Sequence, residues 1–187
     1  MGILEDGKGK GYQAEVTANN RLNTSAKTES RIYYVSRDDK KAFSVYGKRN
    51  FAAGSQTNEN ILSLTYTGNN FLFVKDIMFS SNSSDAKVEV YFDATSISGG
   101  ATILPLNLNT SSVLTSETTC LTGGSDLTAT VLSAKEMFDV RLNKSSFLMN
   151  FHSALILSHN QNILILGSVA TAADKIRVMV YYYEGTS

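Results

Sequence analysis

The chain has 187 residues, with 17 Lys plus Arg against 17 Asp plus Glu and a charged fraction of 18%. Its length suffices for one well-buried core, and its balanced charge provides no field that would hold a nucleic-acid backbone or an anionic membrane surface. The apolar runs are well below the roughly 20 residues of a membrane-spanning helix, so we expect no membrane span and no nucleic-acid partner.

We predict neither a targeting signal nor a disulfide framework. The segment GILEDGKGKGYQ has acidic residues where a secretory signal needs positive charge, and Asp6 stands where a myristoylation motif has Ser or Thr. The single cysteine, Cys120, excludes an intramolecular disulfide and a cysteine-based metal site. We expect it to be a buried or half-buried structural residue, as free cysteines usually are.

The spacing of apolar residues predicts an all-β chain. β-branched and aromatic residues occur in short runs that clusters of Asn, Gly, Ser and Asp separate, and almost no run has helical spacing. About eight to ten strands are expected in the body, which favours a jelly-roll-like two-sheet antiparallel sandwich over an open sheet.

Residues 1–30 differ from the rest of the chain. GILEDGKGKGYQ contains four glycines and alternating charges, so it buries too little apolar surface to offset its ordering entropy unless it lies on another surface. We therefore predict an extended Gly-rich N-terminal arm at residues 1–30 and a β-sandwich domain at residues 31–187. Asn19 and Asn20 tolerate positive φ, which makes a small hairpin or loop-back between Ala14 and Leu22 plausible.

Two hairpins are predicted next. The polar turn DDKK suits a hairpin between Ile32–Ser36 and Phe43–Tyr46. The segments ILSLTYT and FLFVKDIMFSS flank Gly68-Asn69-Asn70, which indicates a second hairpin.

The middle of the chain is less regular. In AKVEVYFDA, apolar and polar residues alternate, so one face should be buried and the other in water. The only proline, Pro105, lacks an amide hydrogen, which places ILPLNLN at a sheet edge or at a crossing between sheets. A helical turn is allowed only in SAKEMFDV, where Ser133 can cap and Glu136 follows three residues later.

The final third returns to strands. Ala154–Leu157 and Ile163–Leu166 are apolar without alternation, so both faces of these strands are expected to be covered. In the closing strand KIRVMVYYYE, alternation predicts four core residues: Ile176, Val178, Val180 and Tyr182. The opposite face is also apolar, and we interpret it as a subunit contact rather than a sugar site, formed by Met179, Tyr181 and Tyr183.

No residue pattern is distinctive of catalysis, of a cofactor or of a metal site. His152 and His159 are interpreted as structural or solvated residues, and the G-x-S-x-G turn of serine hydrolases is absent from the sequence. GKGKG lacks the full spacing of a phosphate-binding loop. The acidic residues have ordinary strand spacing, including Asp76, Glu89, Asp93 and Asp139. We therefore predict that the protein is not an enzyme and needs no cofactor.

Four segments occur in an order that resembles small virion structural proteins of tailed bacteriophages. They are Gly2–Gly11, Ala14–Ala26, Pro105–Asn109 and Ile176–Glu184. The resemblance implies a non-enzymatic capsid decoration or cement protein, assembled in the host cytoplasm and located in the virion. It implies docking on a major capsid, portal or tail protein through the arm, and a homo-oligomer with a trimer favoured. The arm residues implied in that contact are Ile3, Leu4, Tyr12, Val16 and Leu22.

An adhesin associated with the tail or the head fibre is the alternative that this resemblance leaves open. Such a protein would bind host-surface carbohydrate through exposed aromatic rings, which offer a large contact area at small entropy cost. The candidate rings are Tyr33, Tyr46, Tyr91 and Tyr181.

Overall fold

The computed structural model describes most of the chain: residues 3–5, 13–16, 22–23, 35–52, 56–123, 127–131, 135–170 and 174–185. The chain divides into two compact units, Met1–Ser30 and Arg31–Ser187.

The described part of the first unit is a small antiparallel sheet of three strands. These are β1 (Ile3–Glu5), β2 (Gln13–Val16) and β3 (Leu22–Asn23). Leu4 lies opposite Ala14, and Val16 lies opposite Leu22, so the chain does loop back between Ala14 and Leu22. The glycines of GKGKG lie outside the described residues, and the extended arm stays a prediction.

The described part of the second unit contains thirteen strands and one helical turn of the π type at Val35–Asp39. The strands are β4 (Ala42–Asn50), β5 (Gln56–Tyr66), β6 (Phe71–Ser81), β7 (Ala86–Phe92), β8 (Thr95–Ser98), β9 (Ala101–Ile103), β10 (Leu106–Asn107), β11 (Thr118–Thr122), β12 (Thr128–Thr130), β13 (Glu136–Leu142), β14 (Ser146–Leu157), β15 (Asn162–Val169) and β16 (Lys175–Gly185).

These strands form two large sheets and one small one. The five-stranded sheet has the order β10-β4-β16-β6-β14, the six-stranded sheet has the order β13-β7-β15-β5-β11-β9, and β8 pairs with β12. All the pairings are antiparallel. The two large sheets pack face to face on one apolar core, which confirms the predicted all-β antiparallel sandwich.

The eight longest strands pair from the outside of the sequence inwards. β4 pairs with β16, β5 with β15, β6 with β14, and β7 with β13. Strands β4, β6, β14 and β16 belong to the five-stranded sheet, and the other four belong to the six-stranded sheet. The body is therefore closed by contacts between its first and last strands, which are far apart in sequence.

The core confirms the prediction for the closing strand. Ile176, Val178, Val180 and Tyr182 are all buried in the cluster that both sheets share. The ring of Tyr182 stacks on that of Phe43 on the neighbouring strand, with centroids 5.8 Å apart. Cys120 is buried in the same cluster, as expected for a structural cysteine.

Both predicted hairpins are wrong. Val35 and Ser36 belong to the helical turn, and the neighbours of β4 are β10 and β16; Ile32–Tyr34 lie outside the described residues. β5 and β6 lie in different sheets, so residues 67–70 cross between sheets. A polar turn can join two neighbouring strands of one sheet or two strands of different sheets. Here β5 and β6 lie in different sheets, because each of them then buries its apolar face in the shared core.

The prediction for Pro105 is confirmed. β9 is the edge of the six-stranded sheet and β10 is the edge of the five-stranded sheet, and Pro105 lies between them. Pro105 therefore lies between two strands, at a position where no strand pairing needs its backbone as a hydrogen-bond donor.

Two predictions about local structure are wrong in part. In SAKEMFDV, Lys135 has 3₁₀-helical conformation and Ser133 lies outside the described residues. Glu136–Val140, however, form part of strand β13 against β7, because Val140 lies opposite Val88 and packs on the core. The second face of β7 is not in water. Tyr91 is buried with Leu164 and Leu166 in a separate apolar cluster, against which residues of β8 and β12 pack.

The two apolar runs without alternation have different outcomes. β15 lies in the middle of its sheet, and Ile163–Leu166 are buried as expected. β8 and β12 residues pack on the outer face of β15, whereas on β14 Ala154 and Ile156 are exposed while Leu155 and Leu157 are buried.

The two faces of β14 predict a measurable difference in stability. Leu157 is 0% exposed and its neighbour Ile156 is 45% exposed. Leu157→Ala should lower the free energy of unfolding by about 2–5 kcal/mol because it leaves a cavity in the core. Ile156→Ala is the matched control and should cost less than about 1 kcal/mol. Urea unfolding of both variants makes the measurement, and equal losses would contradict the placement of β14.

Candidate functional site

The outer face of the five-stranded sheet carries a continuous apolar row. Tyr46, Met179, Met78 and Leu148 lie opposite one another on β4, β16, β6 and β14. Directly opposed residues of antiparallel strands point to the same face, and Val178 and Val180 on either side of Met179 point into the core. Tyr46 is 43% exposed and Leu148 is 56% exposed, and both methionines are partly exposed. We call these four residues the apolar row.

A polar row borders the apolar row on one side. Lys48, Arg177, Ser80 and Ser146 lie opposite one another on the same four strands. Lys48, Arg177 and Ser146 are exposed. The apolar row is therefore flanked by charge and hydroxyl groups, as the apolar centre of a protein interface is flanked by a polar rim.

A buried carboxylate borders the apolar row on its other side. Asp76 lies opposite Tyr181 at a bulge of β6 and is 8% exposed. Its Oδ2 lies 3.1 Å from Lys75 Nζ, and its buried Oδ1 accepts no hydrogen bond from any residue that the structure describes. An unsatisfied buried acceptor costs about 1–3 kcal/mol, and because this oxygen is inaccessible from outside the chain it is not itself a contact point for a second molecule.

The structure divides the predicted subunit contact. Met179 and Tyr181 lie on the outer face and are partly exposed. Tyr183 is 4% exposed; its ring stacks on Phe73 at 4.9 Å, in a cluster with Val35 and Ala42. Its own chain covers this ring, so Tyr183 is withdrawn from the candidate contact.

Sequence reasoning missed Met78 and Leu148, and it chose Tyr46 only as an exposed ring for carbohydrate. All three residues belong to strands that are distant from Met179 in sequence. Their alternation with core residues could place each on an outer face, but only the register of the sheet brings them into one row.

The predicted arm residues are only partly placed. Ile3 and Leu4 lie in β1, Val16 in β2 and Leu22 in β3, whereas Tyr12 lies outside the described residues. Their role in contact with a partner stays a prediction.

The rings proposed for carbohydrate do not form one surface. Tyr33 lies outside the described residues, and Tyr91 is buried, with its hydroxyl 3.1 Å from Glu89 Oε2. Tyr91 was therefore wrongly chosen as an exposed ring. Tyr46 and Tyr181 are on the outer face beside Met179.

A buried polar cluster fixes the end of β16 to the segment that leads into β11. Ser116 Oγ donates to Glu184 Oε1 at 2.5 Å, and the Glu117 N–H donates to the same oxygen at 2.9 Å. The Tyr182 hydroxyl lies 2.8 Å from Ser116 Oγ and 2.9 Å from Thr118 Oγ1. Because β16 and β11 belong to different sheets, these bonds join the two sheets.

Burial dominates the acid–base properties of this cluster. Burial raises the pKa of Glu184, although the hydrogen bonds from Ser116 and from the Glu117 backbone act in the opposite direction. Burial also raises the pKa of Cys120 to about 11, so its thiol stays protonated near neutral pH. The pKa of Tyr182 is raised chiefly by burial. These properties suit a structural contact that joins the two sheets.

Both histidines lie at irregular points of the strands. His152 is exposed at a bulge of β14 with φ of 49°, and its N–H donates to Asn150 Oδ1 at 2.7 Å. His159 lies in the turn after β14, with Nδ1 3.0 Å from the Gly68 carbonyl oxygen. Within the described ranges, no group of three or more His, Cys, Asp or Glu residues is placed to hold a metal ion. No helix in the described part of the chain is long and apolar enough to span a bilayer.

Comparison of the sequence with family models and with curated proteins gives no relative. No protein-family model matches the chain. A search of curated proteins also finds no match. The candidate site is therefore defined by its own geometry.

The buried cluster predicts a pH-dependent stability. Because burial raises the pKa of Glu184, the folded chain holds this proton more tightly than the unfolded chain does. The contribution of Glu184 to stability is thus largest below the pKa of the unfolded state, about 4.3. It falls as the pH rises through the raised pKa of the folded state. Glu184→Gln keeps the acceptor oxygen and removes the ionisation, so its stability relative to wild type should increase with pH.

Urea unfolding at about pH 4.5, about pH 6 and about pH 7.5 makes this measurement, since these values run from near the ordinary pKa of a Glu carboxyl to well above it. Glu136→Gln changes an exposed residue and serves as the control, which should follow wild type. A constant difference between Glu184→Gln and wild type across this range would refute the prediction.

Proposed function

We propose that the protein is a non-enzymatic structural subunit of a tailed-bacteriophage particle, with a capsid decoration or cement role. The observation that carries the proposal is the outer face of the five-stranded sheet. There the exposed or partly exposed side chains of the apolar row lie next to the polar row. An exposed apolar centre with a polar rim is the composition of a protein–protein contact.

We further propose that the body is a jelly roll. A jelly roll is an antiparallel sandwich of eight strands built from two Greek keys, and it occurs in viral capsid and lectin domains. The nested pairing of β4 with β16, β5 with β15, β6 with β14 and β7 with β13 supports this assignment. The regular alternation of these strands between the two sheets also supports it.

The proposed partners are other copies of the chain and a particle protein such as the major capsid, portal or tail protein. The apolar row supports self-association, because it crosses four of the five strands of this sheet and its side chains are exposed or partly exposed. The resemblance to phage decoration proteins favours a trimer, assembled in the host cytoplasm and incorporated in the virion. The N-terminal unit is the proposed docking element, since the resemblance includes Gly2–Gly11 and Ala14–Ala26.

Self-association predicts a specific effect at Leu148. Leu148→Asp places a charge within the apolar row, and an unpaired charge in an apolar contact is unfavourable. We expect wild type to be oligomeric, and we expect this variant to dissociate at least about tenfold more readily, since loss of a buried Leu weakens a contact by about 1.5–3 kcal/mol.

Sedimentation velocity of both proteins over a range of concentrations measures the effect. Leu104→Asp is the matched control, because Leu104 is also exposed but lies between β9 and β10, outside the apolar row. A monomeric wild type, or an unaltered oligomer of Leu148→Asp, would contradict the proposed interface.

Docking predicts a separate effect of the N-terminal unit. Deletion of residues 1–26 should leave the β-sandwich folded, because residues 31–187 form a compact unit and the described core cluster is built from its strands. The truncated protein should no longer join particles. Circular dichroism checks folding, and co-sedimentation with particles that lack this protein checks docking; normal incorporation of the truncated form would exclude the docking role.

A further inference from the structure

A pocket of about 360 Å³ opens at one end of the sandwich. It lies where β7 and β14 end and where β13 and β15 begin, and its volume is in the lower range of small-molecule pockets, about 300–1,000 Å³. Its lining combines apolar and hydrogen-bonding groups. The lining includes Phe92, Ile156, Asp93, Lys135, Glu136 and Gln161.

The carboxylate of Asp93 is held on a fixed piece of backbone. Asp93 has φ of 47°, a left-handed conformation that few non-glycine residues adopt. Its N–H donates to the Asn162 carbonyl oxygen at 3.1 Å. The buried side chain of Asn162 accepts from the Ala94 N–H at 2.9 Å and donates to the Ala94 carbonyl oxygen at 3.0 Å. These bonds place Asp93 at the pocket before any ligand arrives.

The polar part of the lining offers both donors and acceptors. Lys135 Nζ lies 3.2 Å from Asp93 Oδ2. Glu136 Oε2 lies 3.5 Å from the Tyr91 hydroxyl, whose one proton has a nearer acceptor in Glu89 Oε2 at 3.1 Å, so the acceptor positions of Glu136 are open. Gln161 Oε1 accepts from the N–H and the hydroxyl of Ser158, both at 2.9 Å, so its amide NH₂ is the group left to donate.

The apolar part of the lining is adjacent to these groups. Phe92 contributes an aromatic ring and Ile156 an exposed aliphatic side chain. A pyranose has the matching chemistry, since its ring carries C–H groups that pack on an aromatic surface and hydroxyls that donate to carboxylates. Lys135 offsets one of the two carboxylates, so the net charge of the lining is negative and disfavours an acidic sugar.

We propose that this pocket binds a neutral pyranose saccharide. Asp93 and Glu136 accept hydrogen bonds from sugar hydroxyls, Lys135 and Gln161 donate to hydroxyl oxygens, and Phe92 contacts the C–H face of the ring. The site is distinct from the apolar row and from the four tyrosines considered for carbohydrate in the sequence. It does not depend on the proposed structural role, because a particle subunit and an adhesin could both carry it.

The experiment is ligand-observed saturation-transfer NMR on the full chain. The probes are the methyl pyranosides of glucose, galactose, mannose and N-acetylglucosamine, with methyl glucuronide and n-butylammonium as charged comparisons. We expect a dissociation constant of about 1 mM for a single neutral sugar. The titrations therefore extend to about 20 mM, well above this value. We expect signal on the ring C–H protons of at least one neutral sugar and a weaker signal from methyl glucuronide.

Two exposed acids of β13 provide the matched variants. Glu136→Ala should weaken binding about tenfold, because a hydrogen bond to a charged group is lost. Asp139→Ala changes an acid three residues further along the strand and outside the lining, and it should bind as wild type does.

The proposal is overturned if no neutral pyranoside gives signal, or if Glu136→Ala and Asp139→Ala bind equally well. It is also overturned if n-butylammonium binds and the sugars do not, since the pocket would then be a cation site. Sedimentation of Glu136→Ala should match wild type, so a failure here is distinguishable from a failure of the subunit interface.

Discussion

The position of β16 between β4 and β6 is the constraint on which the rest of the body depends. β16, the last described strand, pairs with β4 over residues 175–183 and with β6 over residues 176–185. Its inward residues, Ile176 to Tyr182 in alternation, lie at the centre of the shared core. Without this pairing the five-stranded sheet would separate into two pieces, and the core would lose one wall.

The same strand also determines the candidate interface. Its register aligns Met179 with Tyr46 on one side and with Met78 on the other, which creates the apolar row. A shift by one residue would exchange the two faces of the strand, so core burial and the composition of the outer face are coupled. The bonds of Glu184 and Tyr182 to the segment before β11 then hold the end of the strand against the second sheet.

The local sequence pattern was sufficient to predict features that depend on a single strand. Alternation identified the core residues of β16, and the chemistry of proline identified the crossing at Pro105. The pattern was insufficient for features that depend on contact with a distant segment of the chain. The turn after Tyr66 has the composition of a hairpin but joins two sheets, and Tyr91 is buried because β8, β12 and their surroundings cover it. The pocket beside Asp93 likewise combines four strand ends that no spacing in the sequence relates.

Cross-strand nuclear Overhauser effects test the central pairing most directly. The account predicts contacts between backbone protons of Val180 and Val45, and of Val180 and Ile77, because β16 lies between β4 and β6. It predicts no ladder of contacts between β5 and β6, which lie in different sheets. A continuous β5–β6 ladder, or β16 with only one strand neighbour, would contradict the fold described above.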